Sequence, residues 1–166
     1  MKSRLKITLI VLGTVVVLGV VGFFGFNFFQ SWRARDVAAN AMESFENGNN
    51  RMAWLQLNSA RALRPDDPEV LRAAAIIESE FGMASGLLHW NQLAGQTNLS
   101  PADLETRART AARFGGDDDF EKAVADLEAV GDMGGARRLR AARLMARGDM
   151  DRAIEETKRL AEAVIQ

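Results

Sequence analysis

Three groups of side chains are of types that do chemistry. They are the single histidine, His89, the acids Asp117, Asp118 and Asp119, and a crowd of arginines: Arg137, Arg138, Arg140, Arg143, Arg147 and Arg152. None has the spacing that chemistry requires. His89 has no serine, lysine or carboxylate at motif spacing, and one histidine cannot hold zinc alone, so it reads as a surface or interhelix residue. The absence of cysteine excludes disulfides and thiolate metal sites. The acid run lacks the alternating acids and closing glutamate of a calcium loop, and reads instead as caps before a helix starting near Phe120. At helical spacing the arginines spread over several faces, with Asp149 and Asp151 among them and no interleaved aromatics for stacking on bases. They read as solvated or interface surface, not as a nucleic-acid patch. With no phosphate loop, dinucleotide fingerprint or triad, the sequence implies no enzyme, cofactor, metal or nucleic-acid partner.

The elements that position these residues repeat. In the stretch from Ala34 to Asp67, Ala41 is followed seven residues later by Gly48, then by Ala53, Leu57 and Ala60, and the unit closes on Pro65. Small against large is what two close antiparallel helices need. Gly48 suits the left-handed end of the first helix, and Pro65 stops the second. The spacing recurs: Ala41, Ala75, Ala108 and Ala141 are 34, 33 and 33 residues apart, each followed by a glycine, Gly48, Gly82, Gly115 and Gly148. The second helices repeat too, as Gly86, Trp90 and Leu93, then Ala123, Leu127 and Val130, then Ala153, Thr157 and Leu160. Asp66, Asp67 and Pro68 open the second unit. Ser100 and Pro101 open the third, with Asp103 completing a capping-box pattern, and Gly131 to Gly135 separate it from the fourth.

This pattern resembles the tetratricopeptide repeat (TPR) family, whose repeat length, alanine, glycine and closing proline match Ala34 to Asp67 closely and Gly134 to Gln166 almost as well. The middle units are looser: the second turn is one residue short and the third carries extra residues through Gly116, Asp117, Asp118 and Asp119. The resemblance implies an all-α, right-handed superhelical solenoid of about four TPR-like hairpins, at about 34–67, 68–100, 101–133 and 134–166. It also implies that the first helix of each hairpin lines a concave face that binds a protein or peptide partner. Carried over by position, that face takes Arg35, Met42 and Phe45, then Arg72 and Ile76, then Glu105, Arg109 and Arg113, then Arg138 and Met145. Arg72, Arg109, Arg113 and Arg138 would form a lane able to fork around carboxylates. The lysine and asparagine pattern by which some members clamp a chaperone's terminal carboxylate is not present. Ala41, Gly48, Ala53, Ala75, Gly82, Trp90, Ala108, Gly115, Leu127, Ala141, Gly148 and Ala153 would pack the repeats.

Ahead of the repeats, Ile7 to Phe29 is a run of 23 uncharged residues, about 34 Å long as a helix at about 1.5 Å per residue, enough to cross a bilayer. A cleaved signal peptide is the competing reading, but the run is long and lacks a small-x-small cleavage site. Phe28, Phe29 and Trp32 suit the interfacial belt, with Arg33 and Arg35 at the headgroups. Lys2, Arg4 and Lys6 in the basic 1–6 terminus favour a cytoplasmic N-terminus and extracytoplasmic repeats. Beyond them 18 basic residues face 22 acidic ones, and no polyanionic partner is demanded. The 166 residues, 48% of them apolar, accommodate one domain plus this anchor. The expectation is a single-pass protein of the bacterial inner membrane, with a transmembrane helix at 7–29 and a solenoid at 30–166. It would be an adaptor or scaffold attending assembly or translocation of envelope components. Two alternatives stand beside it: the N-terminal part of a larger TPR protein, and a self-associating homo-oligomeric component, through the span glycines or through an apolar end at Leu160, Val164 and Ile165.

Overall fold

Residue 25 and residues 27–164 are described in the computed structural model, and every regular element among them is an α-helix, with no strand. Contacts divide the chain into two units, residues 1–70 and 71–166. The span expected at 7–29 lies outside the described residues except for Gly25, Asn27, Phe28 and Phe29, as does the basic terminus at 1–6. Among the described residues no helix is long and apolar enough to cross a membrane.

In the first unit, α1 (27–46) runs unbroken through Arg33 to Asp36, and α2 covers Asn50–Leu63. α1 buries Ala34, Ala38 and Ala41, three and four residues apart; α2 buries Ala53, Leu57 and Ala60 in the same rhythm. That spacing puts each set on one helical face, where small residues let backbones approach. Ser44 of α1 donates to Gln56 Oε1 of α2 at 2.7 Å. Between the helices Gly48 takes φ +76°, a region costly for any residue with a Cβ. Asn49 caps α2 by accepting from the Met52 N–H at 3.3 Å. Arg64 ends it, just before Pro65.

α3 (Pro68–Glu80) opens with proline at its first position and runs into the second unit. There follow α4 (Ser85–Ala94), α5 (Pro101–Phe114), α6 (Asp117–Ala129), α7 (Met133–Ala146) and α8 (Met150–Val164). Leu71 and Ala75 of α3 pack with Trp90 and Leu93 of α4. Trp90 Nε1 donates to Ser79 Oγ at 3.2 Å, so the indole N–H is satisfied inside the core. A second cluster joins Leu87 of α4, Leu104, Ala108 and Ala111 of α5, Phe120, Ala123, Val124 and Leu127 of α6, and Ala136 of α7. Burying a leucine- or phenylalanine-sized side chain contributes about 1.5–3 kcal/mol, so these layers hold the unit. Consecutive helices from α4 to α8 are neighbours, and α5 also touches α7.

Three expectations about the connections are corrected. The acids at 117–119 are not caps before a later helix: α6 starts at Asp117, Gly116 is its N-cap, and the three carboxylates occupy its first turn, where the helix dipole favours them. Gly115 is extended (φ −82°, ψ 156°), not left-handed; a Cβ there would lie 2.7 Å from the Ala111 carbonyl oxygen, so close approach is what calls for glycine. Gly134 and Gly135 are not linker but first-turn residues of α7, because the Asp132 side chain accepts from the Gly135 N–H at 2.8 Å and starts the helix early. The Ser100–Asp103 capping box forms as the sequence predicts.

Candidate partner-binding surface

Each candidate arginine has a fate set by what its helix faces. In the first unit Arg35 Nε donates to Asp67 Oδ2 at 2.9 Å and Oδ1 at 3.2 Å, and Asp67 also accepts from the Glu69 N–H at the start of α3. Met42 and Phe45 on α1 are half-buried. In the second unit Arg72 of α3 pairs with Asp103 of α5, Nε to Oδ2 at 3.2 Å. Ile76 is half-buried against the Trp90 cluster. Arg35 and Arg72 are thus engaged in pairs within the protein.

The remaining candidates of the second unit face outward. Glu105, Arg109 and Arg113 follow one another at four-residue intervals on α5, and all three are exposed. Arg109 Nη2 lies 3.4 Å from Thr106 Oγ1. The Arg113 guanidinium stacks 5.0 Å from the Phe114 ring centroid. It also reaches Gly82 in the α3–α4 turn, where a Cβ would sit 3.2 Å from Nη2. Arg138 and Met145 are exposed on α7. Since α5 and α7 are neighbours, exposed cations are placed on two adjacent first helices. Of the residues expected to pack the repeats, Ala41, Ala53, Ala75, Trp90, Ala108, Leu127, Ala141 and Ala153 are buried, while Gly48, Gly82 and Gly148 have positive φ. The side chains of Leu160, Val164 and Ile165 lie outside the described set.

The structure also reveals polar residues inside the packing that spacing rules did not flag. Arg107 of α5 is 2% exposed. Its Nε donates to Asn91 Oδ1 of α4 at 3.1 Å and its Nη1 to Asp126 Oδ2 of α6 at 2.5 Å, tying three helices. Arg143 of α7 donates to the Ala111 and Gly115 carbonyl oxygens at 3.0 and 3.1 Å and to Asp117 at 2.9 Å, with its guanidinium 4.4 Å from the Phe120 ring centroid. It caps the end of α5 and holds the start of α6 at once. Arg140 donates to Glu128 and to Glu121 on α6. The Arg147 and Arg143 guanidiniums on Asp117 hold its carboxyl below the ordinary value of 3.8. The Glu128 carboxylate raises Arg140, and the Asp117 carboxylate raises Arg147.

Of the two places expected for His89, the structure shows the interhelix one and not the surface: it is 9% exposed, with Nε2 3.3 Å from Oε2 of Glu78, itself 1% exposed. This is an α3–α4 contact eleven residues apart in sequence, so no local motif announces it. A signal did exist for Glu78 and Arg107, because Glu78 continues the apolar Leu71, Ala74, Ala75 stripe and Arg107 interrupts the Leu104, Ala108, Ala111 stripe. A charged residue on an apolar stripe demands a partner inside. No family model matches the sequence, and no curated protein matches it.

Proposed function

We propose that this chain is a membrane-anchored, TPR-like adaptor that binds a protein or peptide partner on the first helices of its hairpins, in the second unit on α5 and α7, with residues 7–29 as the anchor. The observation that carries the reading is the contact of α5 with α7 while Glu105, Arg109, Arg113 and Arg138 stay exposed on those two helices. A first helix that packs on its own hairpin partner and on the next first helix builds a continuous face, as a stacked helical-repeat solenoid requires. Exposed guanidiniums on such a face recognise carboxylates by paired hydrogen bonds, which suits an acidic segment or a chain terminus. Arg72 contributes indirectly, since its pair with Asp103 fixes α3 to α5. The anchor confines the face to one membrane and raises its effective concentration for partners there. The chain would then serve assembly or translocation of envelope components at the bacterial inner membrane, with the repeats outside the cytoplasm.

The test replaces Arg109, Arg113 and Arg138 together by alanine in the membrane-anchored chain and compares crosslinked partner recovery with that of the unaltered protein. The reading predicts a loss of roughly tenfold or more with helical content unchanged, since each charge-assisted hydrogen bond to a partner is worth about 1.5–3 kcal/mol. Unchanged recovery removes this face from the account.

A further inference from the structure

The second helices share an apolar register: Gly86, Leu87 and Trp90 on α4, Ala123, Val124 and Leu127 on α6, and Ala153, Ile154 and Thr157 on α8. The middle member lies on the side that the next hairpin's first helix covers. Leu87 is buried with Leu104 and Ala108 of α5, and Val124 with Ala136 of α7. On α8 the same position holds Ile154, which is 52% exposed, and Met150 one turn earlier is 57% exposed. No helix covers them among the described residues. With Met145 of α7, Ala153 and Ala161 they line a groove of about 280 Å³.

One turn beyond the middle member comes a polar residue that meets the covering helix. Asn91 on α4 accepts from Arg107 of α5, and Glu128 on α6 accepts from Arg140 of α7. Arg107 and Arg140 are one repeat length, 33 residues, apart. On α8 the position holds Lys158, exposed at the wall of the groove. The apolar part of the register is therefore repeated while its polar part is inverted: a cation stands where the other helices offer an acceptor.

We propose that the groove between α7 and α8 docks an amphipathic helix of another protein, seated as α5 sits on α4 and α7 on α6, and presenting a carboxylate to Lys158. The apolar stripe of the incoming helix needs small residues three and four apart, as Ala108 and Ala111 provide on α5. Charge selects the occupant. A second copy of this chain offering α5 or α7 brings Arg107 or Arg140 against Lys158, and like charges in a half-desolvated contact are a device against the wrong partner. The groove shares Met145 with the first-helix face but uses none of its arginines, so either proposal can fail alone.

The test uses two helix-stabilised peptides with the sequence of residues 133–146, one unaltered and one carrying Arg140→Glu. Binding to the full chain is read by fluorescence anisotropy, and by protection of a thiol introduced as Ile154→Cys into a sequence that has no other cysteine. The Arg140→Glu peptide is expected to bind about tenfold tighter than the unaltered one and to slow thiol labelling, and Lys158→Glu in the chain is expected to reverse the order. Ile154 and Lys158 are exposed, so helical content should survive both changes, and the peptide order in the unaltered chain needs neither. Equal binding of the two peptides, no binding of either, or an order unmoved by Lys158→Glu overturns the proposal. So does a thiol already protected in the chain alone, whether by its own residues or by self-association that rises with concentration.

Discussion

Arg107 sets the residue-scale logic, because a guanidinium 2% exposed is tolerable only while Asn91 and Asp126 hold it. Removing one partner of a buried pair typically costs about 3–5 kcal/mol; Asp126 is partly solvated, so Asp126→Ala should cost about 2–3 kcal/mol by denaturant unfolding. The double change Arg107→Met with Asp126→Leu should recover most of that loss, and a double variant no more stable than Asp126→Ala contradicts the tie. Asp117 makes a pH prediction. Its carboxyl is held below 3.8 in the folded state, so the ionised form is bound more strongly there than in the unfolded chain. Its stabilisation is complete above 3.8 and is lost as pH falls through the lowered value. Asp117→Asn should therefore lower the thermal midpoint at neutral pH, and the difference from the unaltered protein should shrink on acidification below 3.8. A pH-independent difference assigns the effect to something other than charge. These residues were only half legible in sequence: the interrupted apolar stripes mark Arg107 and Glu78 as buried, but their partners Asp126 and His89 come from other helices, which periodicity within one helix cannot pair.

At the scale of the element, the α3–α4 hairpin depends on a close approach. A Cβ added to Gly86 would lie 2.7 Å from the Ser79 backbone nitrogen and 2.5 Å from its Oγ, the atom that accepts from Trp90. Gly86→Ala should cost about 1–3 kcal/mol through overpacking, despite alanine's better helix propensity. A neutral or stabilising result, checked by denaturant unfolding, contradicts the packing. Ser100→Ala, which removes the reciprocal cap of α5, should cost about 1 kcal/mol. The caps explain what was legible. Ser100 with Asp103 and Pro101 is a local signal, and so is Gly48 before Asn49, because everything each needs lies within four residues. The start of α6 lies ahead of the expected Phe120 because Gly116 to Asp119 read as extra residues in the turn, whereas Arg143 and Arg147, about thirty residues downstream, bind Asp117 at the first turn. Long-range cations help fix that boundary.

At the scale of the whole molecule, the helices among the described residues follow one another as the rhythm of small residues, 34, 33 and 33 apart, predicts, because each small residue marks where a helix meets its own hairpin partner, whereas the contacts between hairpins carry no such mark in the sequence. The face proposed for binding was less legible, because sequence position cannot tell an outward arginine from one tied to the next helix, and Arg35 and Arg72 prove to be tied. The orientation proposed for the anchor predicts that a thiol introduced as Gln96→Cys, at an exposed position, reacts with a membrane-impermeant maleimide in intact cells stripped of outer membrane. Reaction only after lysis reverses the orientation. The central claim is that the exposed arginines of the first helices α5 and α7 hold the carboxylate-bearing partner proposed for them. Site-specific photo-crosslinking in the full chain, expressed in cells, tests it most directly, with the photoreactive residue at Glu105 on α5 or at Lys122 on α6, both exposed. The account predicts a partner adduct from Glu105 that disappears when Arg109, Arg113 and Arg138 become alanine, and little or none from Lys122; an adduct from Lys122 alone, or one from Glu105 indifferent to the arginines, contradicts it.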